Sequence, residues 1–373
     1  MRLVDGCLVT VLALCSVAAP PQEAADGWQR VVGRQELSWP RDHGAHPGHR
    51  IEWWYVTGTV ADESGSDYGF QFTVFRSGLD PSAPKEGESP LRARQVLAAH
   101  LVVTDIAADR TVFAERLRRT GTPLATYSTS DLALELDGWR MAGLEGDGIF
   151  IEASDAGKRI GLSMLLEPKK PLVLHGDHGV SSKGPEPGNA SVYASWTRLA
   201  VEGTLTIEGR EALVRGGAWF DHEWGSSVLG EGILGWDWFG LRLDDGRDLM
   251  LFTLRRADGS IAEASTATLV ERDGSTRTFG KEALTLRPLG TWKSPRSGAV
   301  YPSGWRLAIA GTDLDLELQP RVRDCELSST GSTGVAYWEG PVSVSGRSEA
   351  NTSIRGEGYA ELTGYAGTMA GRF

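Results

Sequence analysis

Apolar and polar positions alternate along most of the chain in short runs broken by Gly, Asp and Asn. A period of two puts successive side chains on opposite faces of an extended segment, so these runs predict β-strands joined by tight turns. The run 51–60, a loop rich in Asp, Ser and Gly, and the run 68–75 form one hairpin. A second hairpin joins 235–243 to 248–256 through Asp244, Asp245 and Gly246. Further strands are expected at 95–104, 147–153, 159–166, 198–207, 211–219, 265–271, 306–310, 313–318 and 341–346. Beyond the amino-terminal segment no stretch of a dozen residues keeps a 3.6-residue apolar period. Helices should therefore be few, and the fold class all-β, built of barrels or sandwiches.

At 373 residues, against the usual ~100–200 per domain, the chain should hold two domains. They are expected over 28–195 and 196–373, with the Pro/Gly/Ser-rich stretch Ser181 to Asn189 at the boundary. The halves echo each other. Glu52, Trp53 and Trp54 precede a hairpin that closes on Arg76, Ser77 and Gly78, and Glu223 and Trp224 precede one that closes on Arg255 and Arg256. That similarity reflects either a duplication or chance likeness between Trp-rich hairpins. Hydrophobic residues at 40% and charged residues at 23% fit an ordinary globular protein. A net charge of −11 leaves nothing to neutralise a phosphate backbone, so no nucleic-acid partner is expected.

Residues 1–25 differ in kind. Arg2, the apolar stretch Cys7 to Ala19 and the small residues Ser16 and Ala18 together form a signal-peptide pattern. The mature protein is then expected to be secreted or periplasmic. Cys15 in the string Leu12, Ala13, Leu14, Cys15 offers lipid anchoring and peripheral membrane association as the alternative, with the bulky Leu14 standing against it. Either way Cys325 is left alone in the mature chain, and stability must come from the core, not from a disulfide.

Four clusters carry candidate chemistry. In the first, His43, His46 and His49 precede Glu52, Trp53 and Trp54. Their Gly/Pro-rich loop fixes no common ligating face, so backbone capping competes with metal binding. Glu52 shares a strand face with Trp54 and is either hydrogen-bonded or functional. In the second, Asp221 and Glu223 share one face and His222 and Trp224 the other. His222 is either a titratable group beside an indole or a packed core imidazole. In the third, Asp237 alternates with Phe239, Leu241 and Leu243, while Trp236 and Trp238 occupy the opposite face. A strand buried on both sides raises the pKa of its carboxyl, the setting of a general acid, unless Arg242, Arg255 or Arg76 pairs with it. The fourth comprises Tyr337, Trp338 and Glu339 with Tyr359, Glu361 and Tyr365, residues that line ligand cavities or close a sheet. No G-x-S-x-G, H-E-x-x-H or P-loop occurs, and Gly230, Gly232 and Gly235 match G-x-G-x-x-G without a βαβ context. No cofactor and no metal are expected.

The strings PRDHGAHPGHRIEWWYVTG, GGAWFDHEWGSS, GWDWFGLRLDDGRDLMLFTLRRADG, YWEGPVSVSG and GYAELTGY resemble the AttH/carotenoid 1,2-hydratase family from about Trp39 to Tyr365. The resemblance implies two lipocalin-like β-barrels with a ligand cavity near their contact. In the hydratase branch it implies addition of water to a terminal double bond of an acyclic carotenoid without a redox cofactor. The family's H-x-W falls on His222 and Trp224, with Asp237 as the neighbouring acid and a Cys, Cys325, where a Gln is commoner. The expected ligand is an apolar isoprenoid or lipid, bound by Trp224, Trp236, Trp238, Glu52, Trp54, Tyr337 and Trp338 and hydrated by Asp237 and His222. A non-enzymatic lipid carrier is the competing class, and a hydrolase acting through Glu52 or Glu223 a third.

Overall fold

The computed structural model describes residues 22–23, 26–83, 85–89, 92–226, 229–347 and 352–369. The signal peptide expected over 1–25 thus lies almost wholly outside the described residues. Among those residues the fold is all-β, with two single-turn 3-10 segments, Arg41–His43 and Lys281–Ala283, as its helical elements. Two antiparallel sheets each curl into a nearly closed barrel. The first runs through eleven strands, from the edge strand Arg110–Arg119 to Ala125–Tyr127, with two short strands attached. The second runs through nine.

Both expected hairpins form, as Ile51–Asp62 with Asp67–Gly78 and as Ile233–Leu243 with Asp248–Arg256. Arg110–Arg119 escapes the alternation reading because its polar-rich sequence fits an edge strand, exposed along one side. The expected division at 195/196 falls inside a single strand, Ala190–Ile207, and the chain passes from one sheet to the other between Gly225 and Ile233. The stretch Ser181 to Asn189 is a hairpin loop of the first barrel, because Val180–Ser182 pairs with 190–192 on its far side. Its composition is that of a linker, yet a tight hairpin asks for the same residues.

Each barrel fills with the apolar side chains of one strand face. Trp54, Val56, Phe70, Phe72, Trp139 and Phe220 pack in the first, and Phe239, Leu241, Trp305, Leu316, Trp338 and Leu362 in the second. The opposite faces of the central strands are buried too. Tyr55, Tyr193, Trp219, Trp238, Phe252 and Tyr359 form a third cluster where the barrels meet. A register break between Trp196 and Leu199 inverts the alternation of the Ala190–Ile207 strand. Before it odd residues face the partner barrel, and after it Leu199, Val201 and Leu205 face the core.

The break also aims Thr197 and Arg198 at the second barrel. There the fully buried Asp248 accepts from Thr197 Oγ1 at 3.0 Å and Arg198 Nη2 at 2.6 Å, with Lys170 Nζ at 2.8 Å. Arg242 reaches back from the second barrel to Thr59 Oγ1 at 3.2 Å, an approach that a side chain at Gly217 would obstruct. Breaking a buried ion pair by removing one partner costs roughly 3–5 kcal/mol, and the partial exposure of Arg198 moves the figure to the lower end. Asp248→Ala should therefore lower the unfolding free energy by about 3 kcal/mol in urea titrations; a loss below about 1 kcal/mol would show that this anchor does not hold the barrels together.

Candidate functional site

Between the barrels lies a cavity with about 1210 Å³ of empty space, its open mouth included. Its apolar walls come from Trp53 and Phe75 on the first barrel and from Trp236, Trp238, Phe252 and Leu254 on the second. Asp221, Glu223, Glu361, Tyr193, His100 and Tyr337 also reach it. These residues sit on strand faces opposite the barrel cores, which follows from period two on strands buried on both sides.

Asp221 is the chemically distinctive member. It is 3% exposed, and its oxygens accept from Tyr193 Oη at 2.7 Å, from Trp219 Nε1 at 2.6 Å and from Ser195 Oγ. Behind Ser195 stands His175, with Nε2 2.8 Å from Ser195 Oγ and Nδ1 3.0 Å from Thr268 Oγ1. Burial holds that imidazole at about 3, so it is neutral. Trp238 Nε1 donates to Tyr193 Oη at 3.0 Å, which joins the carboxyl to the cavity wall. Burial drives Asp221 up to about 7 against the bonds from these neutral donors, and the charge of Glu223 adds to the rise. Glu361 accepts from Trp236 Nε1 at 2.9 Å and is likewise raised to about 7 by burial. Glu223 differs, being neutralised by Lys183 at 2.8 Å and bonded by Ser191.

The residues expected to form the site separate into three places. Trp236, Trp238 and Tyr337 line the cavity. Glu52, Trp54, His222 and Trp224 lie on the opposite face of the same wall, inside the first barrel. There Glu52 accepts from Arg76 Nε at 2.7 Å, His222 Nε2 at 2.9 Å and His46 Nδ1 at 2.8 Å. Burial alone would raise Glu52, but Arg76 and the two imidazoles hold it well below the usual carboxylate range. Burial keeps His222 at about 4, so it is a neutral core imidazole stacked on Trp54 and tilted against Trp224. Trp338 belongs to the second barrel's core, with Nε1 donating to the Arg323 carbonyl at 2.8 Å.

Asp237, the expected acid, points with Phe239 and Leu241 into the second barrel and away from the cavity. It pairs there with Arg255 Nε at 2.8 Å and accepts from Tyr365 Oη at 3.1 Å. Burial does raise its pKa, as the alternation implied. Asp237 and His222, expected to act in one site, are not brought together, because each faces the interior of its own barrel. His46, Glu52 and His222 bring ligand atoms within 4.8 Å of one another. Arg76 already occupies the other Glu52 oxygen, however, and a divalent cation against a buried guanidinium is electrostatically opposed, so the cluster fits an ion-pair network better than a metal centre. Tyr193, Ser195 and His175 gave no signal in the sequence, since the strand expected from 198 begins at Ala190 and His175 lies outside any expected strand.

An all-β, two-barrel protein with an acidic, aromatic cavity at the barrel contact is the class that fold and site define. The chain belongs to the AttH-like family, whose profile matches residues 30–365. The structure of an AttH protein from Nitrosomonas europaea is 35% identical, covering 90% of this chain and 99% of that one at a TM-score of 0.80. Kievitone hydratase from Nectria haematococca shares the fold at 14% identity and a TM-score of 0.67, with 93% and 98% covered. CghA bound to Sch210972 shares it at 15% and 0.51, with 90% and 98% covered. No curated protein sequence matches the chain.

The Arg255 pairing generates a test. Asp237→Asn leaves a guanidinium without its carboxylate, and the unfolding free energy should fall by about 3 kcal/mol while quenching of tryptophan fluorescence by an apolar ligand stays unchanged. A stable variant with weakened ligand binding would contradict the placement of Asp237 outside the cavity.

Proposed function

We propose that the cavity binds an apolar isoprenoid-type ligand and adds water across one of its carbon–carbon double bonds, with Asp221 as the proton donor. The observation that carries this reading is a carboxyl raised to about 7 by burial and bonded by neutral donors, close to the indoles of Trp236 and Trp238. A carboxyl neutral near pH 7 has a proton to give. Hydration of an unactivated alkene begins with such a transfer to the less substituted carbon, which leaves a carbocation on its neighbour. Indole faces stabilise a cation by roughly 0.5–2 kcal/mol each without forming a bond to it. The apolar walls admit little water, which spares the cation from premature capture. One water oxygen then closes the C–O bond and loses a proton. The shared fold with kievitone hydratase supports the reaction class, since that protein is a hydratase by name.

A lipid carrier would use the same apolar walls but has no need of a neutral acid, and the two readings part on turnover. The test is incorporation of heavy oxygen from labelled water into geranylgeraniol. Asp221→Asn keeps volume and polarity, so binding should persist while turnover falls at least ~100-fold, the lower end for loss of a general acid. Because the reacting form is protonated, wild-type turnover should decline as pH rises through about 7. Full turnover in Asp221→Asn would remove this residue from the chemistry. Binding by the wild type without turnover on any isoprenoid alkene would establish the carrier.

A further inference from the structure

Glu361 has a partner of its own kind. On the paired strands Ala336–Arg347 and Ser353–Leu362 it sits directly opposite Glu339, and both project from the outer face of the second barrel toward the first. Glu339 is 1% exposed, and neither of its carboxyl oxygens has a protein hydrogen-bond partner. Around it the barrels meet along a polar seam. Tyr55 Oη, Thr57 Oγ1 and Gln71 Oε1 from the first barrel and Tyr359 Oη from the second are also buried without a hydrogen bond of normal geometry, although Tyr55 lies close to Thr57 and Gln71 close to Tyr337. Thr57 and Gln71 are cross-strand neighbours, and Tyr55 lies near enough to Glu339 for each to shift the other without a hydrogen bond of normal geometry.

Each buried polar atom left unpaired costs roughly 1–3 kcal/mol. Scattered orphans would be tolerated strain, but orphans gathered on facing surfaces describe a site for small polar molecules, and buried water is the usual solution. The seam adjoins the cavity through Glu361, which belongs to both.

We propose that Glu361 is the second catalytic group of the hydration, the base that takes a proton from the attacking water, that Glu339 is its positioning residue and shares one proton with it, and that the orphaned atoms of the seam seat the water that is consumed. This rests on the cavity being a hydration site. In the step, Asp221 gives its proton to one alkene carbon and becomes a carboxylate. A water lone pair forms the C–O bond to the other carbon as an O–H bond of that water breaks, and its proton passes to the Glu361 carboxylate. Transfer of that proton from Glu361 to Asp221 through water restores the start, so one alkene and one water become one alcohol.

The electrostatics agree with the geometry. Burial raises both carboxyls, and the charge of Glu361 raises Glu339 further. The groups acting on the pair are Asp221, Glu223, Tyr55 and the Trp236 indole, and none is a cation. Lys183 is held by Glu223, while Arg321 and Arg242 act on Tyr359. Two carboxyls so placed titrate as a unit that keeps one proton near neutral pH.

Infrared difference spectra of the full chain read that proton directly. The wild type at pH 6 should show a carbonyl band of neutral carboxylic acid that shifts with ¹³C-glutamate labelling and is absent when Glu339→Gln and Glu361→Gln are combined. The labelled wild type makes the assignment without relying on the variant to fold. With geranylgeraniol as the probe, Glu361→Gln should lose at least ~100-fold in turnover. Glu339→Gln should lose less kcat than Glu361→Gln and move the rising limb of the pH profile, where Glu361 loses its proton, up by about a unit, the smallest displacement expected when a coupled partner is removed. Absence of a glutamate carboxylic-acid band, or a Glu361→Gln enzyme with undiminished turnover, would overturn the proposal. A band that is present in a wild type that hydrates nothing overturns the catalytic role through failure of the hydration reading itself, and the two failures are thereby told apart.

Discussion

Carboxyl groups buried between the barrels without a counter-charge are the constraint on which the rest of the site depends. A buried carboxylate is either paired with a cation or made neutral. This protein uses both solutions on opposite faces of the same strands. Glu52 and Asp237, inside the barrels, meet Arg76 and Arg255. Between the barrels Asp221 meets indole, hydroxyl and phenol donors, and Glu361 meets an indole and lies opposite Glu339, with which it shares one proton. Raising Asp221 from 3.8 to about 7 corresponds to roughly 4 kcal/mol of bias toward its neutral form. Such a bias needs walls that exclude water and a neighbourhood free of guanidinium, which the aromatic cluster at the barrel contact supplies.

The two clusters are coupled through the backbone that carries them. Residues 219 to 225 alternate between the ion network of Glu52, His222 and His46 and the cavity residues Asp221 and Glu223. The inner network ties the Ile51–Asp62 strand to its neighbours on both sides, with Glu52 bonded to Arg76 on one strand and to His222 on the other. That rigid inner face fixes where the outer face presents its acid. His222 and Trp224 thus support the cavity wall from behind without touching what the cavity binds.

Alternation along the chain was enough to read the all-β class, the two hairpins and the double burial of the Ile233–Leu243 strand. It also separated Asp221 and Glu223 from His222 and Trp224. What it could not supply is which of the two faces looks onto the cavity, because that depends on how the barrels dock and not on any local period. Placing Asp237 in one site with Trp236 and Trp238, and choosing His222 over Asp221, followed from that missing information. Tyr193 and Ser195 lie in the first half of the Ala190–Ile207 strand, ahead of the 198–207 run that the alternation marks, and Glu339 gained meaning only when its cross-strand partner proved to be Glu361. The division expected at 195/196 failed for a related reason, since a hairpin loop and a linker share a composition.

The neutrality of Asp221 is the claim from which the functional account descends. Its most direct test is a carboxyl-carbon NMR titration of the protein labelled with ¹³C-aspartate, with Asp221→Asn identifying the resonance. The account predicts an aspartate carbon that titrates near pH 7 and is absent from the variant. An Asp221 resonance already at its carboxylate position at pH 5 would contradict it, and the cavity would then have no acid to give a proton to an alkene.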